Sequence, residues 1–273
     1  MENIRQAVER ARGDRNPQAS KDAGVSRSSI GSGVAAQDAH GVANNECQLN
    51  TGYLQSKRVI AYDGSDQRSR PYDMLRTQVL QSMTLGGWKI LGVTSPGPGC
   101  GKTLTATNLA FSIARQSDQS VILVDLDLQK PQVANTLGII PANGGALDLL
   151  QERHSLAGAA IPVRAGDRSI LVVPTASTRE SSELIGSRAM RNLLQEFRRS
   201  YRSHIVVLDL PPMLASDDVI SLLPQIDCVL LVAAVGTSKA TEIEECNRHL
   251  KSCHLVRLVV NKCAEANTNY YYY

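Results

Sequence analysis

The chain has 273 residues, 42% hydrophobic and 20% charged, with a formal net charge of +3. A chain of this length buries enough apolar surface to fold without disulfide staples. Its near-neutral charge and scattered Lys and Arg argue against a protein that coats phosphate backbones. One tryptophan, eight tyrosines and two phenylalanines argue against a base-stacking module, so no nucleic-acid partner is expected.

In chain order, Met1 to Arg12 carries Ile4, Val8 and Ala11 at helical spacing, followed by a Ser/Gly/Ala/Asn-rich run to about Leu54. That run buries too little apolar surface to offset chain entropy, so residues 1–60 read as a short helix and a flexible tether. The leading helix is either a docking element or a solvated one. From Tyr72 the pattern becomes an amphipathic helix, with Leu75, Val79, Leu80 and Met83 on one stripe, ending near Gly86-Gly87.

Short apolar runs rich in β-branched residues then alternate with helical segments. The runs are Lys89–Thr94, Val121–Leu126, Ile170–Pro174, His204–Leu210, Cys228–Val235 and Leu255–Asn261; Leu104–Gln116 and Ser187–Arg198 are helical. Strands this continuously apolar are buried on both faces, which predicts a three-layer α/β domain with a mainly parallel central sheet flanked by helices. The longest apolar runs reach about half of the roughly 20 residues needed to cross a bilayer. The polar N-terminus lacks a signal-peptide apolar region. A cytoplasmic protein is expected. Six cysteines (Cys47, Cys100, Cys228, Cys246, Cys253 and Cys263) form no Cys-x-x-Cys pair, so reduced thiols are expected.

Between the strand ending at Thr94 and a helix opening at Lys102 lies Ser95-Pro96-Gly97-Pro98-Gly99-Cys100-Gly101-Lys102-Thr103. Strand, glycine loop, Lys-Thr and helix make a phosphate-binding arrangement. The loop amides and the helix N-terminus cradle a β-phosphate, Lys102 reaches its β- and γ-oxygens, and the Thr103 hydroxyl ligates Mg²⁺. Pro96 stands where the strict pattern has its first glycine. Asp125 and Asp127 follow the next strand, and Asp209 ends His204–Leu210. Acids at the C-terminal ends of parallel strands lie beside such a loop. A strand-end acid for metal and a pair near the γ-phosphate suit phosphoryl transfer, which needs positioning and charge neutralisation. Asn261-Lys262 is followed by Cys263, so no acid is available to read guanine, and adenine is expected. Asn261 either meets the adenine edge or caps the strand. Four of the eight tyrosines, Tyr270 to Tyr273, close the chain; phenols on a mobile terminus are accessible phosphoacceptors.

These residues resemble the bacterial tyrosine kinases, the P-loop autokinases of exopolysaccharide and capsule systems, and in particular the exosortase-associated type. The resemblance runs from about Tyr72 to Lys262. It rests on Tyr72-x-x-Leu75-Arg76-Thr77-Gln78, the loop through Thr103, Leu123-Val124-Asp125-x-Asp127-Leu128, Ser182-Glu183-Leu184, Asp209-x-Pro211-Pro212 and Val259-Val260-Asn261-Lys262.

The resemblance implies a P-loop NTPase fold, with a kinase domain over 61–264 and a tyrosine-cluster tail over 265–273. It implies that Pro98, Gly99, Cys100, Gly101, Lys102, Thr103 and Leu104 hold ATP, with Asn261 near the base. Thr103, Asp125 and Asp209 would serve Mg²⁺, and Lys102 would act on the phosphates. Asp125 or Asp127 would orient or deprotonate the incoming tyrosine. The acceptors Tyr270, Tyr271, Tyr272 and Tyr273 would enter a neighbour's site within a homo-oligomeric ring. The implied partners are a separate transmembrane polysaccharide co-polymerase, which would hold the kinase at the inner membrane, and a protein-tyrosine phosphatase.

Two positions depart from the family pattern. Gln129-Lys130 stands where the family has Arg after Asp-x-Asp-Leu, and the ring motif Glu-x-x-Arg-x-x-Arg falls on Arg70, Asp73 and Arg76. Arg70 and Asp73 read as solvated rather than as a charge pair. The rival on the same fold is a ParA/MinD-like positioning ATPase, whose loop has a lysine where Gly97 stands; a second is a weakly catalytic ATP-binding regulatory subunit.

Overall fold

The computed structural model describes residues 46–116, 119–141 and 144–263. The Met1 to Arg12 helix and the tyrosines at 270–273 lie outside the described residues. The described chain opens with β1 (Cys47–Gln48), α1 (Thr51–Ser56), α2 (Arg70–Gly86), β2 (Ile90–Thr94), α3 (Lys102–Ala114) and β3 (Ser120–Asp125). It continues through β4 (Ile161–Ala165), β5 (Arg168–Val173), α4 (Arg188–Ser200), β6 (His204–Asp209), β7 (Cys228–Ala234), α5 (Ala240–His249) and β8 (His254–Asn261).

The strands form one sheet in the order β1-β4-β5-β3-β6-β2-β7-β8, parallel at every pairing except β4 against β5. Successive strand side chains point to opposite faces, and here both faces are covered. Leu91, Val93, Leu123 and Val207 pack with Val79 and Met83 of α2 and Leu109 and Phe111 of α3. Ile90, Ile122, Val124 and Leu208 pack with Met190, Leu194 and Phe197 of α4. This is the expected three-layer α/β architecture.

Residues 46–60, read from the sequence as tether, are part of the fold. β1 pairs with β4, Leu49 and Leu54 are buried, and Asn50 caps α1 by accepting from the Tyr53 amide at 2.9 Å. Full burial of one leucine contributes roughly 1.5–3 kcal/mol. The buried Asn108 of α3 holds the following segment. Its Oδ1 accepts from the amides of Ile60 (2.8 Å) and Ala61 (3.0 Å), and its Nδ2 donates to the Arg58 carbonyl (3.1 Å). The polar composition around 46–60 conceals four buried apolar residues, Leu49, Leu54, Val59 and Ile60, and the partners that fix the segment lie far along the chain.

Asn108→Ala is expected to destabilise the protein by about 2–4 kcal/mol, because buried amides lose their acceptor. Urea denaturation checks this; a loss below about 1 kcal/mol would show that the segment contributes little.

Candidate active site

The loop after β2 turns on Gly99 (φ 76°) and Gly101 (φ 94°), left-handed conformations that other residues adopt at a cost. Gly97 and Pro96 have no such φ, so the first position of the strict pattern needs no glycine here. A Cβ at Gly97 or Gly99 would meet no atom within 4 Å, which leaves an open cradle above the loop. Its base is pinned on two sides. Ser95 Oγ donates to the Gly97 carbonyl at 2.7 Å, and the Met213 amide, just past β6, donates to the Ser95 carbonyl at 2.8 Å.

Parallel register sets Asp125 at the end of β3 directly beside Asp209 at the end of β6. Lys102, at the first turn of α3, reaches Asp127 Oδ2 at 2.8 Å and Asp209 Oδ1 at 3.5 Å. Thr103 Oγ1 donates to Asp209 Oδ2 at 2.6 Å. Lys102, Thr103, Asp125, Asp127 and Asp209 therefore converge at one place, all buried.

Asp125 is fully committed to the loop that follows it. Its Oδ2 accepts from the Gln132 and Val133 amides and its Oδ1 from the Asp127 amide. Asp127, by contrast, lines a 510 Å³ cavity with Gly99, Lys102, Thr103, Gln129 and Pro211.

Three buried carboxylates against one ammonium leave an excess of negative charge. Burial disfavours the Lys102 charge, but Asp209, Asp127 and Asp125 more than offset this and raise its pKa above the ordinary lysine value. Burial, then the adjacent Asp209, pushes Asp125 up to about 8. Burial likewise raises Asp209, against the pull of Lys102 and the Thr103 hydroxyl.

Hard oxygen donors with surplus negative charge, next to an open amide cradle, fit a magnesium-bound polyphosphate. No group of three or more His, Cys, Asp or Glu among the described residues is arranged to hold a metal alone. That suits Mg²⁺, which commonly shares its shell with phosphate oxygens and water.

The family model of ParA, the NUBPL iron-transfer P-loop NTPases, matches residues 88–267. The tyrosine-protein kinase YwqD of Bacillus subtilis is 30% identical over 230 residues, covering 82% of this chain and 94% of that protein. The chain belongs to the bacterial tyrosine-protein kinases, on the ParA-like P-loop NTPase fold. The putative tyrosine-protein kinase EpsB of Ralstonia nicotianae is 32% identical over 235 residues, covering 81% of this chain and 28% of that protein. The kinase domain of Escherichia coli tyrosine kinase ETK superposes with a TM-score of 0.64 at 25% identity, covering 76% of this chain and 82% of that one.

Around the loop, several of the residues singled out in the sequence have defined partners or positions. Asn261 Nδ2 donates to the Cys100 carbonyl at 3.0 Å, and its Oδ1 accepts from the Lys262 amide, so its amide ties the end of β8 to the loop. Cys100 Sγ lies 3.3 Å from Ser238 Oγ. Leu104 and Gly101 line the cavity rim, as does Pro98. Gln129 turns its Nε2 to Ser181 Oγ (2.9 Å), while the Lys130 backbone amide donates to Asp127 Oδ1.

Asp73 is not solvated. Arg115 and Arg76 pair with its Oδ1 at 2.9 and 3.2 Å, and the Ser112 hydroxyl donates to the same oxygen at 2.6 Å. This knot joins α2 to α3. Neither Asp73 nor Asn108 announced its role in the sequence, since each also binds partners more than 35 residues away. The Asn50 cap was a local signal that could have located the start of the fold.

Proposed function

We propose that the protein is an ATP- and Mg²⁺-dependent protein-tyrosine kinase that phosphorylates its own C-terminal tyrosines, Tyr270 to Tyr273, in trans within a homo-oligomer. The observation that carries this is Lys102 bracketed by Asp127 and Asp209 at the mouth of an open phosphate cradle.

In this reading the loop amides from Gly99 to Leu104 bind the phosphates, with Pro98 shaping the turn, and Lys102 exchanges its carboxylate partners for β- and γ-oxygens. Thr103 and Asp209 would hold the metal, which neutralises charge on the transferred group when bound. Asp125 acts by holding the 127–133 loop in place. Asp127, the cavity-lining acid, orients the incoming tyrosine hydroxyl and accepts its proton, and the phenolate oxygen forms the new P–O bond as the ADP oxygen departs.

The sequence resemblance extends the proposal to control of exopolysaccharide polymerisation and export, with a separate transmembrane co-polymerase and an opposing phosphatase as partners. Among the described residues no helix is long and apolar enough to cross a membrane. A phosphorylated tail adds up to about −2 per tyrosine, and such crowding would loosen a ring of subunits.

Incubation with γ-labelled ATP and Mg²⁺, followed by mass spectrometry of the C-terminal peptide, is expected to find phosphate on one or more of Tyr270 to Tyr273. A tail-less active chain mixed with an intact inactive one should label the inactive tail. No label on any tail tyrosine, with or without a co-expressed co-polymerase, would overturn the kinase reading; label only in chains that carry both an intact site and a tail would overturn transfer in trans.

A further inference from the structure

A second, larger cavity of 770 Å³ adjoins the phosphate pocket. The two share Gly101 and Leu104 as lining residues. Asp127 and Asp209 mark the end of the site where the terminal phosphate would sit, so a nucleotide leaves the pocket at the other end, across Gly101 and Leu104. That path leads into the larger cavity, lined by apolar Ile60, Tyr72, Leu75 and Val259 and by the cations Arg58, Arg68 and Lys262, with no carboxylate among the described residues of its lining.

Two of its lining residues are conformationally exceptional. Among the described residues three non-glycines have positive φ, and two of them, Arg58 (62°) and Lys262 (57°), line this cavity. Strain of this kind persists only where surrounding structure enforces it. Here the enforcement is visible. The Arg58 carbonyl is held by the buried Asn108 and its amide by the Gln55 carbonyl, and the Lys262 amide is held by Asn261. Both enforcing side chains lead back to the phosphate loop, Asn108 through α3 and Asn261 through Cys100.

We infer that Arg58 and Lys262 are nucleoside-positioning residues: their cations meet the purine of ATP in this cavity, Arg58 over its face and Lys262 toward its ring-nitrogen acceptors. This rests on the ATP-dependent reading above and adds residues that hold the base, since the Asn261 amide is already engaged by the Cys100 carbonyl and the Lys262 amide. A guanidinium over an aromatic face is a favourable cation–π contact. A lining with no carboxylate among its described residues suits adenine, whose N1 is an acceptor where guanine has an N–H and which has no 2-amino group to satisfy.

The test compares Mg²⁺·ATP with Mg²⁺·tripolyphosphate, a ligand with phosphates and no nucleoside, by isothermal titration calorimetry on the full chain. Arg58→Gly and Lys262→Gly remove the side chains at positions where glycine is the residue best suited to the backbone, so melting temperatures at or above wild type are expected. Each variant is expected to weaken ATP about five- to tenfold and to leave tripolyphosphate affinity unchanged. Unaltered ATP affinity in both variants, or equal losses for the two ligands, would overturn the assignment while leaving the kinase reading intact. A wild-type chain that binds neither ligand would overturn both.

Discussion

Lys102→Met is expected to lower tail phosphorylation by roughly 10²–10³-fold or more, the range seen when one preorganised electrostatic contact to a developing charge is removed. The same substitution is expected to weaken the fold. Lys102 is the cation that Asp127 and Asp209 share, and deleting one partner of a buried ion pair costs about 3–5 kcal/mol when the other stays charged. The loss depends on pH. Asp125 and Asp209 both have pKa values raised in the folded state, chiefly by burial, so acid neutralises them and alkali charges them. The deficit of the variant should therefore be larger near pH 8 than near pH 5. Urea titrations at both pH values, beside the phosphorylation assay, check this. Equal stability at pH 8 would mean that Lys102 does not balance the three acids.

Asp209→Asn should do the opposite to the fold while also abolishing activity. The amide oxygen can still accept from Lys102, and the amide nitrogen can donate to Thr103 Oγ1, so both existing contacts survive. What disappears is a fully buried charge next to Asp125.

In the wild type, the folded-state pKa of Asp125 near 8 lies far above its unfolded value. Its contribution is intact at low pH and is lost as pH rises through about 8. Asp209→Asn is expected to flatten that decline and to raise stability at pH 8 by on the order of 1–3 kcal/mol, at about 1.4 kcal/mol per pKa unit relieved. Mg²⁺-dependent phosphorylation should fall by about 10²-fold or more, because one of the two proposed metal-holding groups loses its charge. A variant no more stable than wild type at pH 8 would show that the two carboxylates do not repel each other as their burial suggests. The outcome expected is a protein made sturdier by losing its function.

Much of this site was legible beforehand for a simple reason. β2, β3, β5, β6 and β7 are interior strands, and a strand covered on both faces writes a continuous apolar run; β8, at the sheet edge, is mostly apolar although Leu258 and Val260 are exposed. The acids that end β3 and β6 then fall into place by parallel register. The antiparallel β4 (Ile161–Ala165) was missed because Pro162 and Arg164 interrupt its pattern, and β1 because two residues leave no period to detect.

The division of labour between Asp125 and Asp127 was equally hidden. Both follow the same strand, and only the closure of the 127–133 loop onto Asp125 shows which one is spent on backbone amides. Arg58 was invisible for a related reason: its unusual φ is imposed by Asn108, fifty positions away.

That dependence on Asn108 decides where this domain can be cut and spliced. A fusion seam near 61, the boundary composition suggests, would discard β1, α1 and Leu54 and strip the buried Asn108 of α3 of its contacts to Arg58 and Ile60, leaving its amide nitrogen only the Leu104 carbonyl. A seam ahead of Glu46 keeps the whole hydrogen-bonded unit together, and is the natural place for a protein engineer to attach a tag or a foreign module.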